Sequence, residues 1–114
     1  MSYIKIHCYI FRYIKIHCYL SKAAIAFWMT PNPDSGKPSC HDIILGNTKS
    51  SDVDGRPVGY GLTTAIINGG ECNPASHQEL ATSQDRIGFY NRYLDYFGLT
   101  DDREKGCANT MAFW

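Results

Sequence analysis

Cysteine and histidine are the residue types of this sequence with the widest chemical scope, as metal ligands or redox-active thiols. The 114 residues include five cysteines and four histidines. No two cysteines form a C-x-x-C pair, so neither a compact zinc site nor a thioredoxin-like redox pair is predicted. Because five is odd, at least one thiol stays free or pairs with another chain, while a secreted protein with one or two disulfides remains compatible with this composition. We expect no metal and no other cofactor.

Two of the histidine–cysteine pairs lie in a perfect tandem repeat. The segment YIKIHCY at residues 3–9 recurs at residues 13–19. Its isoleucines and cysteines alternate with lysines and histidines, which is the period of a β-strand. A single strand of that length would be unusually long, and Ile10–Arg12 contains no residue typical of a hairpin turn.

Three interpretations of residues 1–20 compete. A metal site would need a fold that brings the two His–Cys pairs together, and the sequence specifies none. A transmembrane or secretory segment would be interrupted by Lys5, Arg12 and Lys15, although 24–26 (Ala-Ile-Ala) is similar to a cleavage site. The favoured interpretation is a β-prone, aggregation-prone tail that arose by tandem duplication or from a mis-assigned coding start.

Composition limits the remaining possibilities. A chain of this length forms one domain, and 44% apolar with 13% aromatic residues is too rich for a disordered protein. Eleven basic and eleven acidic side chains give zero net charge, so neither nucleic acid nor a membrane is expected as a partner. The β-prone tail on an apolar-rich chain would instead favour self-association.

Helical periodicity predicts a mainly α-helical domain over residues 21–114. One helix is predicted over 22–29 after a Ser21 cap, one over 59–70, and one from Thr82 or Ser83 to Gly98. A single apolar stripe is predicted on the last helix, formed by Ile87, Tyr90, Tyr93, Leu94 and Phe97. Residues 31–59 are rich in Pro, Gly and Ser and read as a loop, with one short turn near 40–45. Long loops inside small domains often frame a functional site.

Five blocks in residues 21–114 carry a family resemblance. They are AFWMT at 26–30, KPSCHD at 37–42, GYG at 59–61, IINGG at 66–70 and DRIGFY at 85–90. In this order they resemble the C-terminal part of a chitinase of glycoside hydrolase family 19. The resemblance implies a lysozyme-like α-helical fold with a deep cleft, and inverting cleavage of β-1,4-linked N-acetylglucosamine polymers.

Inverting hydrolysis requires two carboxyl groups roughly 6.5 to 9.5 Å apart, one as general acid and one to activate water. In the family these are two glutamates of the N-terminal half, the first in a His-Glu-Thr motif. This sequence contains no His-Glu step. We therefore expect no catalytic residue in these 114 residues, and no hydrolysis by this chain alone.

The resemblance assigns a substrate-binding role to Lys37, Asn68, Glu71 and Arg86. It implies that Asn68 binds sugar and the attacking water, that Arg86 lies among carboxylates, and that Glu71 pairs with that arginine. Simpler explanations stay open for three of them. Asn68 is also a suitable helix end before Gly69, Lys37 a suitable solvated loop residue, and Arg86 a suitable surface residue in the first turn of its helix.

The resemblance also implies a disulfide between Cys72 and Cys107. It leaves Cys40 as a small buried residue and Cys8 and Cys18 as free thiols. Members of the family are usually secreted, although the first residues here give no convincing signal peptide. An alternative function is binding of chitin oligosaccharides without cleavage, with Trp28, Tyr60 and Tyr90 stacking on sugar rings beside Asn68.

Overall fold

The computed structural model describes residues 3–73, 75–108, 110, 111 and 113, with the backbone alone for residues 3–14 and 77–79. The described chain is mainly α-helical, as predicted. Its helices are α1 (Tyr3–Met29), α2 (Cys40–Leu45), α3 (Tyr60–Asn68) and α4 (His77–Phe97). Short 3₁₀ turns lie at Pro33–Ser35, Ser50–Val53 and Gly69–Cys72. The isolated extended pairing joins Asn32 to Lys37.

Helix α1 contradicts the strand prediction for the tandem repeat. Both copies lie in one helix that continues without a break through the predicted 22–29 helix, so Ser21 is an interior residue and not a cap. An isolated strand leaves its backbone N–H and C=O groups without partners, whereas a helix pairs them within the segment. The alternation of apolar residues was real, but the described residues offer this segment no strand to pair with.

The predicted short turn at 40–45 is helix α2. Ser39 caps it by accepting a hydrogen bond from the Asp42 backbone N–H at 3.0 Å. Gly46 ends it with a φ of 79°, a left-handed conformation that glycine adopts without steric cost.

Helix α4 begins at His77, earlier than the predicted start at Thr82 or Ser83. The Leu80 backbone N–H already donates to the Ser76 carbonyl at 3.0 Å, and Ser83 is buried inside the helix. The predicted end is confirmed, since Gly98 has a φ of 65°. Its predicted apolar stripe is only partly packed, because Tyr93 and Phe97 are exposed.

The core lies between α2 and α3. Ile43, Val53 and Leu62 are almost completely buried there, and Trp28 at the end of α1 packs against their cluster. Burying an aliphatic side chain of this size contributes about 1.5–3 kcal/mol. A second cluster contains Ala65 and the two half-cystines, Cys72 and Cys107. The predicted disulfide between them is present.

Two glycines let the C-terminal segment lie directly on α3. A Cβ atom at Gly61 would collide with the backbone carbonyl of Gly106, and one at Gly59 with that of Glu104. The Gly61 N–H donates to the Glu104 carbonyl at 3.2 Å. This contact brings Cys107 against α3 and explains two glycines of the block at 59–61 physically.

Candidate functional site

Three of the four predicted site residues meet where α3 ends and α4 passes. Asn68 ends α3, Glu71 lies in the 3₁₀ turn after it, and Arg86 projects from α4. The Asn68 amide donates to Glu71 Oε1 at 3.3 Å, and Arg86 Nε lies 3.4 Å from Glu71 Oε2. Asn68 is exposed, while the Glu71 side chain is only 9% exposed. The structure thus joins an accessible amide to a buried, charge-compensated carboxylate.

The Glu71 carboxylate keeps one oxygen without a hydrogen bond. Oε2 has no donor within hydrogen-bonding geometry, although Arg86 is close enough for a charge interaction. The two observations agree because the single N–H of Arg86 Nε is directed at Thr64 Oγ1, 3.4 Å away. A buried carboxylate oxygen without a donor is costly, so the negative charge at Oε2 depends on the nearby Arg86 guanidinium for compensation.

Two stacked tyrosines lie beside this cluster. The rings of Tyr60 and Tyr90 are 4.1 Å apart with 6° between their planes. Burial raises the pKa of Tyr60, Arg86 opposes that rise and Glu71 adds to it. Burial and the hydrogen bond to Asp101 raise the pKa of Tyr90 to about 12. Both phenols are therefore protonated at neutral pH.

Asp101 and Arg103 hold Tyr90 in place, and sequence analysis missed both. Tyr90 donates to Asp101 Oδ2 at 2.6 Å, and Arg103 donates to both carboxylate oxygens at 2.8 Å. The Arg103 hydrogen bonds, followed by that of Tyr90, hold the pKa of Asp101 well below its usual value despite its burial. Arg103 also donates to the carbonyls of Ile43 and Ile44 near the end of α2.

Lys37 has its described contacts elsewhere. Its backbone pairs with Asn32, and its ammonium group lies 5.9 Å from the centre of the Phe113 ring. The Arg56 guanidinium lies over the same ring at 4.0 Å. Trp28 likewise packs against the α2–α3 core and not against the stacked tyrosines. No contact in the described part of the chain joins Lys37 to Asn68, Glu71 or Arg86.

The two free thiols that the structure describes differ in environment. Cys40 is buried, as predicted, and burial raises its pKa to about 11 despite the opposing effect of Arg86. Cys18 is exposed and free on α1, also as predicted, whereas the side chain of Cys8 lies outside the described residues. The described residues contain no group of three or more metal-ligating side chains suited to an ion.

An open groove lies along α4 and is lined in part by Tyr90. It has a volume of about 530 Å³. Its walls are mainly apolar and include Tyr93, Leu94, Phe97 and Leu99, with Asp101 at its edge. The groove therefore adjoins the aromatic part of the site and not the Glu71–Arg86 pair.

Comparison with known proteins connects this site to a family. The family model described as chitinase class I, of glycoside hydrolase family 19, matches residues 17–107. The chain belongs to this family. Chitinase membership accounts for the order of the five sequence blocks and for the disulfide, and it is consistent with the mainly helical fold.

Named plant chitinases are similar over the same region. Endochitinase CH25 of Brassica napus is 48% identical over 96 residues, and endochitinase A2 of Pisum sativum is 52% identical over 96 residues. Basic endochitinase B of Arabidopsis thaliana is 48% identical over the same number. Each alignment covers 81% of this chain but only 27–28% of the relative. The chain thus spans little more than a quarter of the chitinases it matches.

Proposed function

We propose that this chain forms one wall of the substrate cleft of an inverting endochitinase, and that the 114 residues alone bind but do not cleave chitin. The substrate would be a β-1,4-linked N-acetylglucosamine polymer. The residues proposed to contact or position it are Asn68, Glu71 and Arg86, with Lys37 as a more distant contact. The proposal rests chiefly on one observation, which is the Asn68–Glu71–Arg86 cluster in a chain of the chitinase family.

The cluster has the chemistry to hold an acetamido sugar. Asn68 is exposed, so its amide can exchange hydrogen bonds with sugar hydroxyl or acetamido groups. Glu71 orients that amide through its Oε1, while Arg86 compensates the buried negative charge. The neighbouring Tyr60 and Tyr90 supply apolar ring surface on which a pyranose can pack.

The expected lack of hydrolysis follows from the number of suitable carboxyl groups. Inversion needs one carboxyl group to protonate the leaving oxygen and another to activate water. Of the two largely buried carboxylates at the site, Asp101 has both oxygens occupied by Arg103 and Tyr90. The other carboxylate, Glu71, contacts Asn68 and Arg86, and one carboxylate cannot provide the two carboxyl groups that inversion needs.

Binding and cleavage can be tested separately with chitohexaose. We expect chromatography to show no shorter products after prolonged incubation, and NMR titration to show shifts at Asn68 and Tyr60 with a dissociation constant near the millimolar range. Asn68→Ala should weaken binding about five- to tenfold, as expected for one hydrogen bond of about 1 kcal/mol. Gln84→Ala, an exposed position on α4, is the matched control and should bind normally.

Two results would contradict the proposal. Shorter oligomers of inverted anomeric configuration would show that a carboxyl pair is present after all. Unchanged spectra throughout the titration would remove the sugar-binding role of the cluster. Binding without products supports the proposal and corresponds to the non-catalytic alternative for this chain on its own.

We also propose that the chain functions in a secreted or otherwise oxidising compartment. The Cys72–Cys107 disulfide supports this, because such bonds persist in oxidising environments and are rare in the cytosol. No described helix is both long enough and apolar enough to cross a membrane. Mass spectrometry of the protein isolated from its natural source under alkylating conditions would test the proposal, since a reduced pair would contradict it.

A further inference from the structure

Charge is divided unevenly along this chain. Residues 1–33 contain four basic side chains and no acidic one, whereas residues 34–114 contain seven basic and eleven acidic side chains. The zero net charge therefore combines a segment of +4 with a remainder of −4. Nearly all of the cationic segment is helix α1 (Tyr3–Met29). A net charge of zero spread evenly along the chain would not draw it to an anionic surface. The observed distribution instead gives α1 a local positive field that can do so.

Helix α1 has no packing partner over most of its described side chains. Every residue from 15 to 27 is exposed, and Trp28 is the first that packs against the core. The molecule accordingly measures 59 × 32 × 31 Å, and a helix of 27 residues spans about 40 Å of that length. Helices without tertiary contacts are marginally stable in water, so a surface that covers α1 would stabilise it.

The exposed side chains of α1 include both apolar and cationic residues. Ile16, Leu20 and Phe27 follow at helical spacing and form one stripe, and each is more than half exposed. Lys15 and Lys22 lie seven residues apart on another side, about 120° around the helix from that stripe. The stripe and the lysines thus lie on different sides of the helix, while Tyr19, Ile25 and Met29 are also exposed on the lysine side. A helix with a continuous apolar stripe and lysines beside it can lie flat at a membrane surface.

Aromatic residues reinforce this interpretation. Helix α1 contains seven of the fifteen Phe, Tyr and Trp residues of the chain. Tyrosine prefers the level of lipid headgroups, where the ring is apolar and the hydroxyl stays hydrated. Tyr19 is 61% exposed on α1, whereas Trp28 packs against the core. The lysines interrupt the apolar character along the helix, in agreement with the absence of a membrane-spanning helix among the described residues.

We propose that α1 is an interfacial helix that binds the surface of an anionic lipid bilayer. Its lysines face the headgroups, while the Ile16–Leu20–Phe27 stripe enters the boundary with the acyl chains. The acidic remainder of the molecule stays in water, repelled by the same surface. This function is independent of the proposed sugar site, which lies on α3 and α4.

Vesicle sedimentation with the full chain tests the proposal. We expect binding to vesicles of phosphatidylcholine with 30% phosphatidylglycerol, at least tenfold weaker binding to pure phosphatidylcholine, and release at 0.5 M NaCl. Lys15→Gln with Lys22→Gln should weaken binding about 25-fold, which is about fivefold for each lysine near the surface. Glutamine has nearly the helix propensity of lysine, so α1 itself is preserved.

Two further variants separate the apolar and electrostatic contributions. Leu20→Gln keeps every charge and should also weaken binding about tenfold or more by removing a buried aliphatic side chain. Lys49→Gln with Arg92→Gln changes the net charge by the same amount at exposed positions outside α1, and should bind like the original chain. Circular dichroism of all variants verifies that each keeps its helix content.

Several outcomes would overturn the proposal. Binding that is equal for neutral and anionic vesicles, or equally weakened in the Lys49/Arg92 control, would contradict recognition by α1. Equally tight binding of a 20-base-pair DNA duplex would assign α1 to polyanions in general. Soluble oligomers that sediment without lipid and dissociate in Leu20→Gln would show that α1 is covered by a second copy of the chain.

Discussion

The Arg86→Ala substitution should lower the free energy of unfolding, because the buried negative charge of Glu71 would lose its compensating cation. Glu71 is 9% exposed, and its Oε2 lies 3.4 Å from Arg86 Nε. At an effective dielectric constant of 20 this separation corresponds to about 5 kcal/mol of Coulomb attraction. Arg86 is itself 29% exposed and makes no hydrogen bond to Oε2, so solvent screening lowers the expected loss to about 2–3 kcal/mol.

A double-mutant cycle isolates that interaction. Glu71→Gln keeps an oxygen that accepts from Asn68, but it places an amide N–H group opposite Arg86 Nε and should cost about 1–2 kcal/mol. Arg86→Ala with Glu71→Gln removes the uncompensated charge, and should be more stable than the sum of the single changes by about 1–2 kcal/mol. Urea unfolding gives each free energy. The exposed Arg92→Ala on the same helix is the control and should lie within about 0.5 kcal/mol of the original chain.

The cycle has two clear refutations. An Arg86→Ala variant as stable as the Arg92→Ala control would mean that solvent already compensates Glu71. Additive single changes would mean that the two side chains do not interact, and that Arg86 stabilises the fold through Thr64 alone.

Three further outcomes are expected from the fold. Gly61→Ala should destabilise by about 1–3 kcal/mol in thermal unfolding, because its methyl group meets backbone, whereas Gly69→Ala has open space and should not; equal effects would contradict the close approach. Opening the Cys72–Cys107 bond with a reductant should lower the free energy of unfolding by about 3–4 kcal/mol, and an unchanged urea midpoint would contradict this. The pKa of Asp101 is lowered in the folded state, so its contribution to stability is present above the unfolded pKa of about 3.9 and is lost as pH falls. The difference in free energy of unfolding between the original chain and Asp101→Asn should therefore shrink below about pH 4. A difference that stays constant with pH would contradict this expectation.

Local sequence signals predicted α3 and the end of α4 well, because short-range chemistry determines them. Gly98 ends α4 in a left-handed conformation. Helix α2 was predicted only as a short turn within a loop, although Ser39 caps it and Gly46 ends it in a left-handed conformation. In α3, Leu62, Ala65 and Ile66 follow at helical spacing on one face and are buried. These elements needed no knowledge of distant residues.

The errors arose where the outcome depends on partners. An alternating pattern predicts a strand only if another strand pairs with it, and the described chain offers none to residues 3–20. Thr82 and Ser83 are suitable caps and were therefore predicted as the start of the last helix, but they lie in its interior, since α4 begins at His77. Its Tyr93 and Phe97 match a core pattern but are exposed, since helical periodicity cannot say whether a neighbour covers the stripe.

The contacts of the candidate site also divide into local ones, which the sequence can predict, and long-range ones, which depend on the fold. Asn68 and Glu71 are three residues apart, and their hydrogen bond is local. The approach of Arg86 followed from the family resemblance, because periodicity alone does not bring a residue of α4 to the turn after α3. Asp101 and Arg103 had no comparable signal, since an acid two residues before an arginine is common on protein surfaces. Their importance comes from Tyr90 and from the end of α2, which only the fold brings to them.

The protonation states of four groups at or near the site support the proposed lack of acid–base catalysis. Burial raises the pKa values of Tyr60, Tyr90 and Cys40, so all three stay protonated at neutral pH. Asp101 is ionised and fully hydrogen-bonded, which leaves it no lone pair directed at a ligand. General acid catalysis needs a group that gives up its proton near the working pH, and none of these four meets that condition. The proposed cleavage of a glycosidic bond held against Asn68 would therefore need a proton donor other than these four groups.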